Sequence, residues 1–502
     1  MVSIAACIIT VIGTLITVAS FLFAILYLPG IIEDRVLESV KLIEGTEAFE
    51  RWETTPLPVD FKVHFFHVLN VEDVQHGETP VVKEVGPYVY KQYRRKINIT
   101  REDDILSYYQ RQHYEFDAEA SYPLTDTDEI TILNLPLMSI LLTTERLHGS
   151  GSTELFVLNT VIRYLFNDPT SIFLTTTPRD FLFDGIYINC NDTRYLQKRV
   201  CDEIGANAPP TLPRLEDGRF RFSLLGHKNT SHDGRYSLNS GIHDARALGE
   251  IVTWENSDTL STWLENSTCN NIIGTDGSVF PPYRTEESII NVFSTDICRS
   301  MRLEYNTTTT LAGIKGLRYA VVDTALASPR NNPENECFCL NQTLGITGDD
   351  GCLLDGALEL LNCQGAPVVL SFPHFYDADE AYQNGVIGLN PVESKHRMFL
   401  DLEPTSGTLL RGNTRVQFNM FSKPISRIKL TENLNTTLMP IVWISEGIVL
   451  NGELIGVLNR TLFDVLTLVS TIEWVVIIAG MLLFTGGVIW LLLSIVQNKK
   501  KA

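Results

Sequence analysis

Two long apolar segments without a charged residue lie near the ends of the chain, at residues 4–28 and 474–496. An α-helix rises about 1.5 Å per residue, so each segment can cross the roughly 30 Å hydrocarbon core of a bilayer. The first segment is longer than the apolar part of a signal peptide, and no basic residue precedes it. We therefore predict one transmembrane helix at each end, rather than a cleaved signal or two core helices of a soluble protein.

The hydrophobic pattern between these segments alternates between helical and strand-like spacing. Apolar positions at steps of three or four residues indicate helices, and strict alternation bounded by turn residues indicates strands. We predict helices at 33–50, 135–166 and 454–472, strands at 61–65, 88–93, 399–402 and 415–419, and mostly short strands after about residue 179. The pattern favours one large α+β domain that is mainly β, with a helical hairpin inserted near its middle.

Charge placement predicts the orientation in the membrane. Lys499, Lys500 and Lys501 follow the second apolar segment, and such residues favour the cytosolic side. Two spans then place residues 1–3 and the tail at 497–502 in the cytosol, with residues 29–473 outside. The formal net charge of −20, from 40 basic and 60 acidic residues, argues against nucleic acid as a partner.

Glycosylation signals and cysteines support an oxidising, non-cytosolic location for the central domain. Eight N-x-Ser/Thr sequons all lie between the spans, at Asn98, Asn191, Asn229, Asn266, Asn306, Asn341, Asn435 and Asn459. Eight cysteines lie there as well, at positions 190, 201, 269, 298, 337, 339, 352 and 363. Eight cysteines give four disulfides with 105 possible pairings, whereas a zinc site would need wider spacing than Cys337-Phe338-Cys339. Cys7, in the first span, is either a plain apolar residue or a palmitoylation site.

The chain lacks the sequence motifs of common enzymes. It has no G-x-S-x-G elbow, no phosphate-binding glycine loop and no H-E-x-x-H zinc motif. His64 and His67 would point to opposite faces of a strand, and Asp349 and Asp350 fit a turn better than a calcium loop. We therefore predict a protein that is not an enzyme and that needs no cofactor or metal.

Several segments, in order along the chain, carry a resemblance to a known family. They are Ile43-Glu44-Gly45-Thr46 with Trp52, Glu84-Val85-Gly86-Pro87-Tyr88-Val89-Tyr90, Cys337-Phe338-Cys339, Asp355-Gly356-Ala357, the run from Gly365 to Tyr376 with Ala378-Asp379, Gly388-Leu389-Asn390-Pro391, His396, Asp401-Leu402-Glu403-Pro404, Gly407 and Arg415-Val416-Gln417-Phe418-Asn419. Together they resemble the class B scavenger receptors, which include fatty-acid and lipoprotein receptors and a lysosomal integral membrane protein.

The resemblance implies a fold and a set of disulfides. The expected fold is an antiparallel β-barrel-like ectodomain, with a membrane-distal helical bundle at 135–181 and a lipid tunnel through it. The family order implies the pairs Cys269–Cys337, Cys298–Cys363 and Cys339–Cys352. Cys190 and Cys201 are then an extra pair, and we expect them to bond to each other.

The resemblance also implies where ligands bind. In lipid-binding members the apex carries lysines that attract anionic ligands, but residues 167–173 contain none. Arg146, Arg163, Thr170 and Phe173 are the expected ligand-contacting residues of this apex, and nearby acidic residues offset the two arginines. A neutral apex would disfavour acidic ligands, so neutral lipid or sterol is the expected ligand.

Two functions follow from the resemblance. The first is a plasma-membrane receptor that binds lipids, sterols or lipoproteins at its apex and passes lipid to the membrane. The second is a lysosomal or endosomal receptor that escorts a lumenal protein on its apical helices. The tail lacks the acidic-dileucine signal of the lysosomal member, which favours the cell surface. Lys499-Lys500-Lys501-Ala502 also fits a dilysine retrieval pattern, so the endoplasmic reticulum stays an alternative.

Overall fold

A computed structural model describes residues 4–192, 194–340 and 343–501. The chain forms two compact units, one from Leu42–Val449 and the other from the residues before and after it. Residues 1–3, the sequon residue Asn341 and Ala502 lie outside the described residues.

The helices are numbered in chain order. They are α1 Ile4–Leu26, α2 Leu28–Val40, α3 Glu47–Glu53, α4 Val71–Gln75, α5 Ala118–Ser121, α6 Leu135–His148, α7 Thr153–Leu165, α8 Tyr195–Ala206, α9 Leu361–Gln364, α10 Glu380–Gln383, α11 Glu393–His396, α12 Gly452–Leu458 and α13 Asp464–Lys501.

The strands are numbered in the same way. They are β1 Val59–Val68, β2 Val82–Glu102, β3 Ile105–Phe116, β4 Ile130–Leu133, β5 Phe173–Thr176, β6 Ile186–Ile188, β7 Phe220–Phe222, β8 Arg235–Asn239, β9 Ile251–Trp254, β10 Ile290–Ser294, β11 Arg299–Leu311, β12 Ile314–Val321, β13 Leu358–Glu359, β14 Val369–Ser371, β15 Phe399–Leu402, β16 Leu409–Ser422 and β17 Thr437–Val449.

The smaller unit is built on the packing of α1 against α13. Two helical stretches, Ile4–Leu26 and Gly452–Asn498, are long and apolar enough to cross a membrane. Glycines let the two backbones approach closely, since a Cβ on Gly13 would lie 2.3 Å from the Phe484 nitrogen. Small residues at such positions are typical of helix pairs in lipid, where close backbone packing drives association.

The larger unit is organised around one antiparallel sheet. Among the described residues thirteen strands belong to it, and its main path runs β10-β11-β12-β15-β16-β17-β1-β2-β3-β8-β9. Thr275 forms single bridges to Glu250, beside β9, and to Val292 in β10, so one segment contacts both ends of this path. Closure into a barrel stays a prediction.

The predicted strands and the helical hairpin are confirmed, with two differences. The expected strands lie within β1, β2, β15 and β16, and the hairpin is α6 and α7. The helical bundle was expected to continue to residue 181, but strand β5 lies within that segment and pairs with β4. A third helix, α8, occupies a region where we expected short strands, and it packs against α7.

Candidate ligand-binding surface

The α6–α7 pair begins and ends at residues suited to those positions. The Asn134 side chain accepts a hydrogen bond from the Leu137 N–H, and the Ser152 hydroxyl accepts one from the Leu155 N–H. Both caps satisfy N–H groups that a helix start leaves free. Gly149 and Gly151 occupy the intervening turn at positive φ, which glycine adopts without a steric penalty.

Every ionised residue on α6 and α7 has an opposite charge beside it. The pairs, given by the closest N–O distance, are Lys423–Glu145 at 2.9 Å, Arg146–Glu359 at 3.2 Å, Arg163–Asp168 at 3.2 Å and Arg199–Glu154 at 3.3 Å. His148 also contacts Glu203. The two helices themselves therefore present little net charge.

The loop between β16 and β17, residues 423–436, changes the charge of this surface. The Lys429 backbone N–H donates to Asn159 Oδ1 of α7 at 3.0 Å, which fixes the loop against the helix. A Cβ on Gly151 would lie 3.6 Å from Ser426 Oγ, so the loop also covers the α6–α7 turn. Arg427 and Lys429 are exposed and have no ion pair within the described part of the chain. The same loop carries the exposed Glu432, so it adds two cations and one anion beside helices that were expected, from residues 135–181 alone, to present a neutral surface.

Apolar side chains are exposed close to the same turn. Leu147, in the last turn of α6, is 54% exposed, and Phe156, near the start of α7, is 56% exposed. Large apolar residues exposed together commonly mark a binding surface. We call the exposed face of α6, α7 and the β16–β17 loop the α6–α7 surface.

The structure separates the four predicted ligand residues. Arg146 is half-buried against Glu359, and Phe173 is buried in β5, so neither presents a free side chain to solvent. Arg163 is exposed but pairs with Asp168, and Thr170 is exposed in the loop after α7. Arg427 and Lys429 were missed because they lie far along the chain from the helices they adjoin.

A buried polar cluster was also missed by the sequence patterns. Glu84 Oε1 lies 2.7 Å from His64 Nδ1, and its Oε2 lies 3.0 Å from His374 Nε2. The Trp443 indole N–H donates to Glu84 Oε1 at 3.2 Å. Burial works to raise the pKa of Glu84, but the contacts with His374 and His64 outweigh it and hold that pKa well below its usual range.

His396 completes this cluster. Its ring stacks on that of His374 with centroids 4.6 Å apart, and the Val392 N–H donates to His396 Nδ1 at 3.0 Å. Burial, together with the neighbouring His374, lowers the pKa of His396 to about 4. Among the residues that the structure describes, no group of three His, Cys, Asp or Glu side chains is placed to hold a metal ion.

Four disulfides cross-link the larger unit. They are Cys190–Cys201, Cys269–Cys337, Cys298–Cys363 and Cys339–Cys352, the same pairs that were expected. The first ties α8 to the chain before it, and Cys298–Cys363 joins the β10–β11 turn to α9. Cys269–Cys337 joins the β9–β10 connection to the β12–β13 connection, within which Cys339–Cys352 closes a short loop. Cys7 is free and exposed on α1.

The described sequons differ in exposure. Asn98, Asn191, Asn266, Asn306 and Asn435 are exposed, whereas Asn229 and Asn459 are half-buried. Asn229 Oδ1 accepts the Tyr114 N–H, and Asn459 begins a helical segment, so a glycan has less room at these two positions.

Fold and surface together define a membrane protein with an apolar helix at each end and a disulfide-bonded, mainly β domain that carries a surface suited to ligand binding. A model of the CD36 family matches residues 11–491. The chain belongs to the CD36 family, whose members are membrane receptors of the class B scavenger receptor type.

Similar proteins include sensory neuron membrane proteins of insects. Sensory neuron membrane protein 2 of Anopheles gambiae is 37% identical over 522 residues, which cover 94% of this chain and 90% of that protein. The protein of the same name from Aedes aegypti is 38% identical, over 89% of this chain and 91% of its own length. Sensory neuron membrane protein 1 of Manduca sexta is 33% identical, over 96% of this chain and 90% of its own length.

Proposed function

We propose that this protein is a plasma-membrane receptor of sensory neurons that binds amphiphilic lipids on the α6–α7 surface and passes them to the bilayer. Family membership and the names of its relatives support this assignment. The observation that carries it is the combination of exposed Leu147 and Phe156 with the unpaired cations Arg427 and Lys429. Such a surface can hold an apolar chain and an anionic head group at once.

The two kinds of side chain have different energetic roles. Covering apolar area contributes about 25 cal/mol per Å², so Leu147 and Phe156 should supply most of the affinity. Exposed charges contribute about 0.5 kcal/mol each, because water and salt screen them. Arg427 and Lys429 should therefore discriminate between ligands with the same chain and different heads.

Delivery to the bilayer rests on the family resemblance. A tunnel through the larger unit would carry lipid from the α6–α7 surface toward the membrane that α1 and α13 span. The barrel-like closure of the sheet and the exterior position of residues 29–473 belong to the same proposal. Glycans on the exposed sequons, removable by an endoglycosidase from intact cells, would support that orientation.

The binding test compares two ligands that share a chain, oleate and oleyl alcohol, on the full-length protein in lipid nanodiscs. Arg427→Gln with Lys429→Gln should weaken oleate binding about fivefold, from roughly 0.5 kcal/mol per charge, and leave oleyl alcohol unchanged. Leu147→Gln with Phe156→Gln should weaken both ligands.

Matched controls lie elsewhere on the larger unit. Lys315→Gln with Arg111→Gln removes two other exposed cations, and Leu264→Gln removes an apolar side chain that is 63% exposed. These variants should bind both ligands normally. Unchanged binding in the Arg427, Lys429, Leu147 and Phe156 variants would remove the α6–α7 surface from the proposal.

A protein ligand on the same helices is the second candidate. Tyr164 is partly exposed, and the guanidinium of Arg194 lies 3.9 Å from its ring centroid, a combination of Tyr and Arg that is common at the centres of protein interfaces. Tyr164→Ala should abolish capture of a protein partner but leave oleate binding intact, and the reverse result would exclude this alternative.

A further inference from the structure

A pocket lies beside the C-terminal end of α8, and its lining shares no residue with the α6–α7 surface. Its volume is about 420 Å³, within the range of small-molecule sites. Pro209, Pro210 and Pro213 give it an accessible apolar wall, and Asp202 and Arg214 add polar surface beside it. The pocket therefore has the size and lining to hold a small molecule that has both an apolar and a polar part.

The walls of this pocket are held in place before any ligand arrives. The Cys190–Cys201 disulfide anchors α8, and Phe220 is fully buried in β7. The prolines have a fixed φ, and the backbone of Arg214 bridges that of Phe220. A preformed site loses little conformational entropy on binding, which favours affinity.

Gly205 keeps this pocket open. It lies inside α8, where glycine costs about 0.5–1 kcal/mol relative to alanine, and no positive φ requires it. A Cβ there would lie 3.3 Å from Phe220 Cζ and 3.9 Å from Arg214 Nη1. Because Gly205 lines the pocket and the Phe220 ring beneath it is fully buried, a longer side chain at position 205 would extend into the pocket beside Arg214.

Two charged side chains at the pocket determine which polar group fits. Arg214 Nη1 lies 3.7 Å from Asp202 Oδ1, too far for a hydrogen bond, and both side chains are about half exposed. Neither makes a side-chain hydrogen bond within the described residues, so donors and acceptors are available side by side. An anion would be attracted by Arg214 but repelled by Asp202, and a cation would be attracted by Asp202 but repelled by Arg214. A neutral group with an adjacent donor and acceptor suits both.

We propose that this pocket binds a small ring-containing apolar molecule with one neutral amide-type group. The ring packs against Pro209, Pro210 and Pro213. The carbonyl oxygen accepts from the Arg214 guanidinium, and the amide N–H donates to the Asp202 carboxylate. This site is independent of the lipid-binding role proposed for the α6–α7 surface.

The test uses three rings of the same shape, benzamide, benzoate and benzamidine, with full-length protein in nanodiscs and saturation-transfer NMR. Benzamide should bind saturably and at least about fivefold more tightly than either charged analogue, since each of these faces one like charge. Gly205→Leu should weaken benzamide at least about tenfold by filling the pocket. Arg214→Gln and Asp202→Asn should each weaken it about fivefold.

Two controls separate pocket loss from general damage. Ala206→Leu adds the same side chain at the next position of α8, which does not line the pocket, and Arg219→Gln removes a nearby arginine that pairs with Asp217. Both should bind benzamide normally, with melting temperatures close to that of the parent. No benzamide binding, or equal binding in Gly205→Leu, would overturn the site, and equal affinity for benzoate would overturn the neutral ligand class.

Discussion

Acidification should destabilise the larger unit through His396, and His396→Asn should remove part of that sensitivity. His396 is 3% exposed and its pKa is lowered to about 4, whereas an unfolded histidine titrates near about 6.5. A folded pKa below the unfolded one means that folding favours the neutral ring. The folded state therefore keeps its full stability above pH 6.5. It loses stability as the pH falls toward 4, because the unfolded chain binds a proton at His396 that the folded protein does not.

The size of the effect follows from these two pKa values. Between pH 7 and pH 5 the unfolded chain takes up a proton that the folded protein largely refuses, which lowers the free energy of unfolding by about 2 kcal/mol. Dividing this free energy by the unfolding entropy of a unit of roughly 400 residues gives a decrease in melting temperature of about 2 °C. The asparagine introduced by His396→Asn keeps an oxygen to accept the Val392 N–H but has no titration in this range.

The assay is the melting temperature at pH 7 and pH 5 for parent and variant, followed by tryptophan fluorescence. His396→Asn should be less stable at pH 7, because it loses the stacking on His374, yet its loss on acidification should be about 2 °C smaller. His113→Asn, at an exposed histidine, should show the parent's full loss. An equal loss in parent and His396→Asn would refute the assignment of a buried neutral ring.

Two further predictions concern stability. Asp401 is 1% exposed and bonds to both Arg318 and Arg411, so Asp401→Asn should cost about 3 kcal/mol by leaving two half-buried cations without their shared carboxylate. Asp323→Asn, at an exposed carboxylate, should cost under about 1 kcal/mol in urea unfolding. Cys190→Ser with Cys201→Ser opens a loop of 11 residues and should cost about 3 kcal/mol by loop entropy, with weaker benzamide binding because α8 loosens. A disulfide map showing either cysteine free in the parent would contradict the second prediction.

Local patterns in the sequence predicted the elements whose signal is local. The terminal helices follow from uncharged runs, and β15 and β16 follow from alternation on a half-buried sheet. Helix α8 had a usable signal that we did not recognise. Gln197, Val200, Cys201 and Ile204 are its buried residues, and their spacing is that of one helix face. The polar residues around them, and the expectation of a β-rich region, obscured it.

The charge of the candidate surface could not be predicted from the helices alone. Arg146 pairs with Glu359 across 213 residues of sequence, and Glu145 pairs with Lys423 across 278. Only the tertiary fold determines which charges cancel and which stay free. The same applies to Glu84, whose partners His374 and Trp443 come from distant strands and turns. A count of charges in residues 135–181 predicted a neutral surface, because it left out the exposed cations Arg427 and Lys429 of the β16–β17 loop.

The two proposed sites make different physical demands on the same unit. The α6–α7 surface is open and has unpaired cations, so its selectivity should weaken with salt, because mobile ions screen exposed charges within about 10 Å at 0.1 M. The α8 pocket is lined by prolines and carries a balanced pair of charges, so its selectivity depends on shape and on hydrogen bonding. The sites share no residue. We therefore expect added salt to weaken oleate binding and to leave benzamide binding unchanged. That difference would distinguish the two sites in the parent protein, without any substitution.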